Sequence, residues 1–187
     1  MLTIWAEPVG DGVPYATEGP TNGGGLLHPW QTDDYSRWVT RAQMREAVER
    51  CDPGNMWYYS GIFRGKPVEN SAKATAARHG GRTMMSMIEE FGLPTPYYTD
   101  YTELAAAFWR RASAGFSEAV RGEVKIIFGD TVRRRSTWER VEYPSLVANP
   151  HVTAIFWALP GTPFRPLWTR GQPALPDGLP GEITRQA

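Results

Sequence analysis

The sequence predicts an α/β chain of the α+β kind, in which a helical lobe stands beside a small, mainly parallel sheet lobe and a ligand sits in the cleft between them. Three observations predict it. Helix-patterned stretches dominate the chain up to residue 121. Two apolar runs, "EVKIIF" and "HVTAIFWAL", follow in the last third. A third, "MWYYSGIF", lies between helical stretches, and short runs with no polar alternation suit strands buried on both faces. The 187 residues fit a single catalytic domain. About 1–55 and 80–120 form its helical lobe, about 56–79 and 121–165 its sheet lobe, and 166–187 a tail.

Residues 1–35 are punctuated by Pro and Gly and read as mostly loop and turn with a short strand at the start. The first helix starts near Ser36 or Thr40 and runs to about Arg50, with Met44, Ala47 and Val48 on its apolar side. "CDPGN" stops it, and the "MWYYSGIF" strand follows. "PVENSAKATAARHGG" reads as an Ala-rich helix stopped at Gly80, and "RTMMSMIEEFG" as another between Thr83 and Gly92. Asp100 is the expected N-cap of a helix over about 101–121. Tyr101, Leu104, Ala105, Phe108, Ala112, Phe116, Ala119 and Val120 supply its apolar stripe. "TVRRRSTWERVE" reads as an edge strand or a long loop between the two last strands. After Pro160 an extended tail is expected, partly packed and frayed at its end.

Composition removes several function classes. Formal net charge is zero, so no broad electrostatic grip on nucleic acid or a membrane surface is expected. One cysteine, Cys51, permits no internal disulfide and has no evident histidine partner as a nucleophile. His28, His79 and His151 have no second histidine or cysteine nearby, so no metal site is expected. No stretch has the length of a membrane span, and "MLTIWAEPVGDGVPY" lacks the pattern of a signal peptide. A nucleophile elbow and a phosphate-binding GxxxxGK[ST] loop are both missing.

What remains is a set of aromatic–hydroxyl pairs. Tyr59 and Ser60 end a strand, Trp109 and Ser113 share a helix face at i, i+4, and Ser136, Thr137 and Trp138 lead to Glu142. Singly, each has an ordinary structural reading: a core strand aromatic, a helix packing residue, a solvated loop acid. Together they resemble the ADP-ribosyl cyclases, the NAD glycohydrolase family. That family's order is Phe-Trp, a Ser four residues on, a Phe-Ala-Glu-Ala-like run, a buried strand, Ser-Thr-Phe, then a glutamate four residues after the Phe. Here the order is Phe108-Trp109, Ser113, Phe116-Ser117-Glu118-Ala119, the strand near 124–128, Ser136-Thr137-Trp138 and Glu142. Upstream, "WYYSGI" resembles the family's Phe-Trp-Ser-Arg-Ile and "RTMMSM" its Thr-Leu-Glu-Asp helix. The likeness covers roughly residues 56–160.

The resemblance implies a two-lobed cyclase-like fold and NAD(P)+ as substrate, with no other cofactor. It implies a catalytic role for Glu142, with Trp109 holding the nicotinamide ribose region. Tyr59, Ser60, Ser113 and Thr137 would line the substrate pocket, and Trp138 would lie beside the phosphates. Three positions depart from the pattern. Tyr59 stands where the family has its first pocket tryptophan, with a ring that could still stack. Gly61 stands where the family has an arginine, leaving Arg64 or one of Arg133, Arg134 and Arg135 to meet the diphosphate. Met85 stands where the family has a second acidic residue that influences cyclisation against hydrolysis. A disulfide-free member looks like a bacterial NAD-depleting toxin, acting in the cytoplasm of a target cell and matched by a cognate immunity protein. An ADP-ribosyltransferase and a non-catalytic nucleotide-binding module are the alternatives; "ERVE" spaces Glu139 and Glu142 by three, where transferases often use Glu-x-Glu.

Overall fold

The computed structural model describes residues 38–96 and 103–186. The expected features at 1–35 and the expected N-cap Asp100 lie outside the described residues, as do the side chains of Tyr101 and Leu104. The chain is a mixed α/β protein with two sheets.

The first sheet has five strands in the order β4-β1-β5-β7-β8: β4 is Arg82–Thr83, β1 Met56–Ser60, β5 Gly122–Phe128, β7 Val152–Ala158 and β8 Arg165–Thr169. The first four run parallel and β8 is antiparallel to β7. Its centre is almost wholly apolar, as strands covered on both faces must be. One face carries Trp57 and Ile127, which pack with Val68, Ala72 and Ala76 of helix α2 (Glu69–Arg78) and the residue before it. On the other face Tyr58, Val124, Ile126, Phe128 and Ile155 join the main core beneath α1 (Arg41–Glu49), α3 (Met84–Phe91), α4 (Glu103–Ala119) and α5 (Tyr143–Ala148).

The helix signals read from the sequence have physical counterparts. Thr40 caps α1, and Thr83 caps α3 with Ser86 returning the bond to the cap backbone. Gly92 closes α3 in the left-handed conformation. Along α4, Ala105, Phe108, Ala112, Phe116, Ala119 and Val120 are all buried. The far end of α4 is tied down by Asn149. Its Nδ2 donates to the carbonyls of Ser117 (3.0 Å), Glu118 (3.1 Å) and Val120 (2.8 Å), and its Oδ1 accepts from the His151 N–H at 2.9 Å. One amide therefore satisfies carbonyls that the helix end leaves open. Asn149→Ala is expected to cost about 2–3 kcal/mol, because several buried polar groups lose their partner at once. Chemical denaturation checks it; a midpoint equal to wild type would show that water replaces the amide.

Two sequence expectations are corrected. The stretch after Arg133 is not a loop. β6 (Thr131–Arg133) is followed by a turn at Arg134–Arg135, then a π-helical segment, Trp138–Glu142, that runs straight into α5. The Tyr143 N–H bonds to the Trp138 carbonyl five residues back. Pro144 has no N–H to offer the usual ladder, and it sits in the first turn of α5. The residues after Pro160 are not a simple extended tail. They form β8 and β9 (Thr184–Gln186), and bury Trp168, Leu179 and Ile183. The Pro and Gly that suggested a tail lie in the turns between these pieces.

The second sheet has the order β3-β2-β6-β9, with β2 Ile62–Phe63 and β3 Lys66–Pro67. β1 and β5 feed it through Gly61 and Gly129, and the Gly129 N–H donates to the Ser60 carbonyl at 2.8 Å. At Gly61 φ is +98°, and a Cβ would stand 2.3 Å from the Thr131 carbonyl oxygen. At Gly129 a Cβ would meet the Ile62 backbone at 2.1 Å. Only glycine fits where the two strands bend together.

Candidate functional site

The order of strands points to one place. From β1 the chain crosses by α2 to β4 on one side; from β5 it crosses by the π segment and α5 to β7 on the other. The direction of winding reverses between β1 and β5, and ligands of parallel sheets bind at the carboxyl ends of strands at such a reversal. Those ends carry Tyr59, Ser60 and Phe128, and the π segment that follows carries Trp138 and Glu142.

A π helix advances about 4.4 residues per turn, so residues four apart share a face. Trp138 and Glu142 therefore look the same way, toward the sheet and α4. Trp138 is 1% exposed, with its ring 5.8 Å from Tyr58, 5.5 Å from Phe128 and 5.6 Å from Tyr143. Its Nε1 donates to the Gly178 carbonyl at 2.9 Å. Glu142 is 9% exposed, an unusual setting for a carboxylate. Its charge reaches Tyr58. Burial pushes the Tyr58 hydroxyl well above its ordinary value, and Glu142 adds to the rise while the hydrogen bond with Ser117 opposes it.

α4 packs across the π segment. Trp109 is buried, with its ring edge-on to Phe108 at 4.8 Å. Ser113, one turn on, is 1% exposed, and its hydroxyl meets the Met84 sulfur at 3.8 Å. That contact brings the start of α3 against Ser113, and Met85, the next residue of α3, is buried in the main core. Thr137 precedes the π segment and is half-buried; it makes no capping bond with its side chain.

Glu142 and Trp138 thus lie on the π segment with Thr137 just before it, Trp109 and Ser113 on α4, which packs against that segment, and Met85 on α3. Tyr59 and Ser60 lie at the end of β1. Ser60 alternates to the same side as Tyr58, whereas Tyr59 alternates to the side of Trp57 and packs partly against both cores. Arg64 sits in the turn after β2 at φ +51°, its guanidinium 5.1 Å over the Phe63 ring and its N–H on Asp130. It belongs to the second sheet, not to the helical wall around Glu142. Trp138 shows a core residue's environment: its indole N–H is committed and no face of it is open. The position where the resemblance implies an arginine, Gly61, is closed to every side chain by the Thr131 carbonyl.

Three groups around Glu142 had no signal strong enough to single them out in the sequence. Tyr58 reads as one more aromatic in "WYYS". Ser117 reads as a small residue in a helix stripe. Gly178 reads as part of a tail, yet it receives the Trp138 indole and packs on Tyr143. Burial also pushes the half-buried Cys51 thiol up, with Arg82 opposing and Glu90 adding, the reverse of what a nucleophilic cysteine needs. Among the described residues no helix is long and apolar enough to cross a membrane.

No protein-family model matches the chain, and no curated protein does. Among solved structures, an Aplysia cyclase complexed with substrate NGD and product cGDPR aligns at a TM-score of 0.42 and 17% identity. The alignment covers 65% of this chain and 56% of that one, so the chain spans a little over half of that neighbour's length.

Proposed function

We propose that this chain cleaves the nicotinamide–ribose bond of NAD(P)+ and releases nicotinamide and ADP-ribose, with the site in a cleft between a helical and a sheet lobe. The observation that carries the reading is Glu142: a nearly buried carboxylate on a π-helical turn, beside the reversal point of a parallel sheet and across from the Trp109/Ser113 face of α4. The motif order from Trp109 to Glu142 supports the same assignment.

One carboxylate suffices for this chemistry. Most glycoside hydrolysis needs a second acid to protonate the leaving group. Nicotinamide in NAD+ is cationic, takes the electron pair of the breaking C–N bond and departs neutral without a proton. The ribose is left with oxocarbenium character, which Glu142 stabilises by its charge. Water then adds to the anomeric carbon and gives up its proton. Trp109 would orient the nicotinamide and exclude water, with Ser60, Ser113 and Thr137 as polar lining, while Tyr59 is turned to the Trp57 side of the sheet. The diphosphate would fall to Arg64 and the arginines at 133–135, since Gly61 cannot be replaced. With Met85 in place of a second acid, the reading favours hydrolysis over cyclisation. An enzyme of this kind, acting inside a cell, depletes its NAD; that gives a toxin role and a restraining protein partner their place in the proposal.

The test is incubation of the purified protein with NAD+ labelled in the adenosine half. Nicotinamide released in step with free labelled ADP-ribose is the expected result. Label attached to protein or nucleic acid replaces the reading with a transferase. Binding without nicotinamide release replaces it with a nucleotide-binding module.

A further inference from the structure

β8 ends at Thr169, and the chain then runs through turns to β9. On the way it grips the π segment at both ends. The Trp138 indole N–H donates to the Gly178 carbonyl at 2.9 Å, and the Leu175 N–H donates to the Tyr143 hydroxyl at 2.8 Å. Tyr143 adjoins Glu142, and its own N–H closes the π turn on the Trp138 carbonyl. The crossing stretch is itself held by little. Its buried apolar anchors are Leu179 and Ile183. Arg185 pairs with Asp177, and Arg165 of β8 with Glu182 at 2.7 and 2.9 Å, all four side chains being partly exposed. β9 pairs with β6 over three residues, each of them exposed. The central sheet is bound differently. β1, β5 and β7 pair with one another along their lengths, and Val124, Ile126 and Ile155 on them are fully buried. A stretch with two apolar anchors opens at lower cost than a sheet with a continuous core.

We infer that residues 173–186 form a strap that opens as one unit while the central sheet stays folded, and that its closure holds the π segment in shape. The link to activity rests on the reading of Glu142 as the catalytic group. A π turn is a rare form, and the strap supplies partners from outside the helix at both of its ends. Opening takes the Gly178 carbonyl from Trp138 and the Leu175 N–H from Tyr143, the residues that bracket the acid. Open molecules keep the sheet and lose the site.

The experiment follows the full chain through a urea series by NMR and by nicotinamide release. The Trp138 indole N–H and the Leu175 amide report the strap, and the Ile126 and Ile155 amides report the sheet. The strap signals are expected to go at a lower midpoint than the sheet signals, with nicotinamide release lost at the strap's midpoint. Ile183→Ala should raise the opening constant about 30-fold or more, the scale of a truncated buried anchor. Loss of release should move down in urea with it. The sheet midpoint should stay in place, because Ile183 is already out of its site when the sheet unfolds. Asp177→Asn with Glu182→Gln should raise the opening constant about fivefold, the scale of two exposed ion pairs. One shared midpoint for strap and sheet overturns the inference. Nicotinamide release that outlasts the strap signals overturns the strap's hold on the site. Two midpoints in a wild type that releases no nicotinamide keep the strap and remove the NAD reading.

Discussion

Glu142→Gln is expected to lower nicotinamide release by at least about 100-fold, the scale seen when a group that stabilises transition-state charge is removed. The substitution keeps the size of the side chain, removes its charge and turns one acceptor oxygen into an amide donor. The fold should survive it. Thermal midpoint should stay near wild type while turnover collapses. That divergence separates a catalytic acid from a structural one, which would lose both together. Glu139→Gln is the internal control. Glu139 Oε2 accepts the Arg135 N–H at the start of the π segment, and its backbone N–H takes Ser136 Oγ at 3.3 Å, so its role is local shape. Its loss should change turnover by no more than about threefold, since its bonds shape the turn into the π segment. Turnover near normal in Glu142→Gln would sink the functional reading.

Gly178→Ala is expected to destabilise the fold by about 2–4 kcal/mol, the upper part of the range for forcing extra volume into a packed site. Gly178 has φ +64°, and a Cβ there would lie 2.3 Å from the Tyr143 ring. The ring cannot swing freely, because the Tyr143 hydroxyl accepts the Leu175 N–H at 2.8 Å. The Gly178 carbonyl also holds the Trp138 indole N–H. Displacing this turn pushes on Trp138 and Tyr143, the residues that bracket the π segment, so activity should fall along with stability. Gly181→Ala nearby meets no atom within 4 Å and should be close to neutral. Differential scanning fluorimetry of the two variants decides the matter, and equal midpoints would show that the turn yields at little cost.

The helices were legible because their signals are local: Thr83 with Ser86, Gly92, and the Phe108–Ala112–Phe116 stripe each lie within a turn or two of one another. The buried strands were legible from unbroken apolar runs. The segment holding Glu142 was not: Trp138, Glu142, Tyr143 and Leu146 are buried at helical spacing, but Glu142 reads as a polar residue in that stripe and Pro144 as a breaker. Motif order singled out Glu142, but what packs on the π segment was not legible. Tyr58 and Gly178 come from β1 and the C-terminal segment, and only the tertiary fold places them against Trp138. The same holds for Gly61, whose constraint is the Thr131 carbonyl 70 positions along the chain.

The crossing of the C-terminal segment over the π helix has a consequence for the order of synthesis. Trp138 and Tyr143 are secured by Leu175 and Gly178, and β6, which leads into the π segment, is paired with β9 at Thr184–Gln186. A growing chain that has just emerged past Glu142 lacks the residues that hold Trp138 and Tyr143 in place. The π segment reaches its final packing only after the segment through Gln186 has left the ribosome, so this part of the fold is completed late in synthesis.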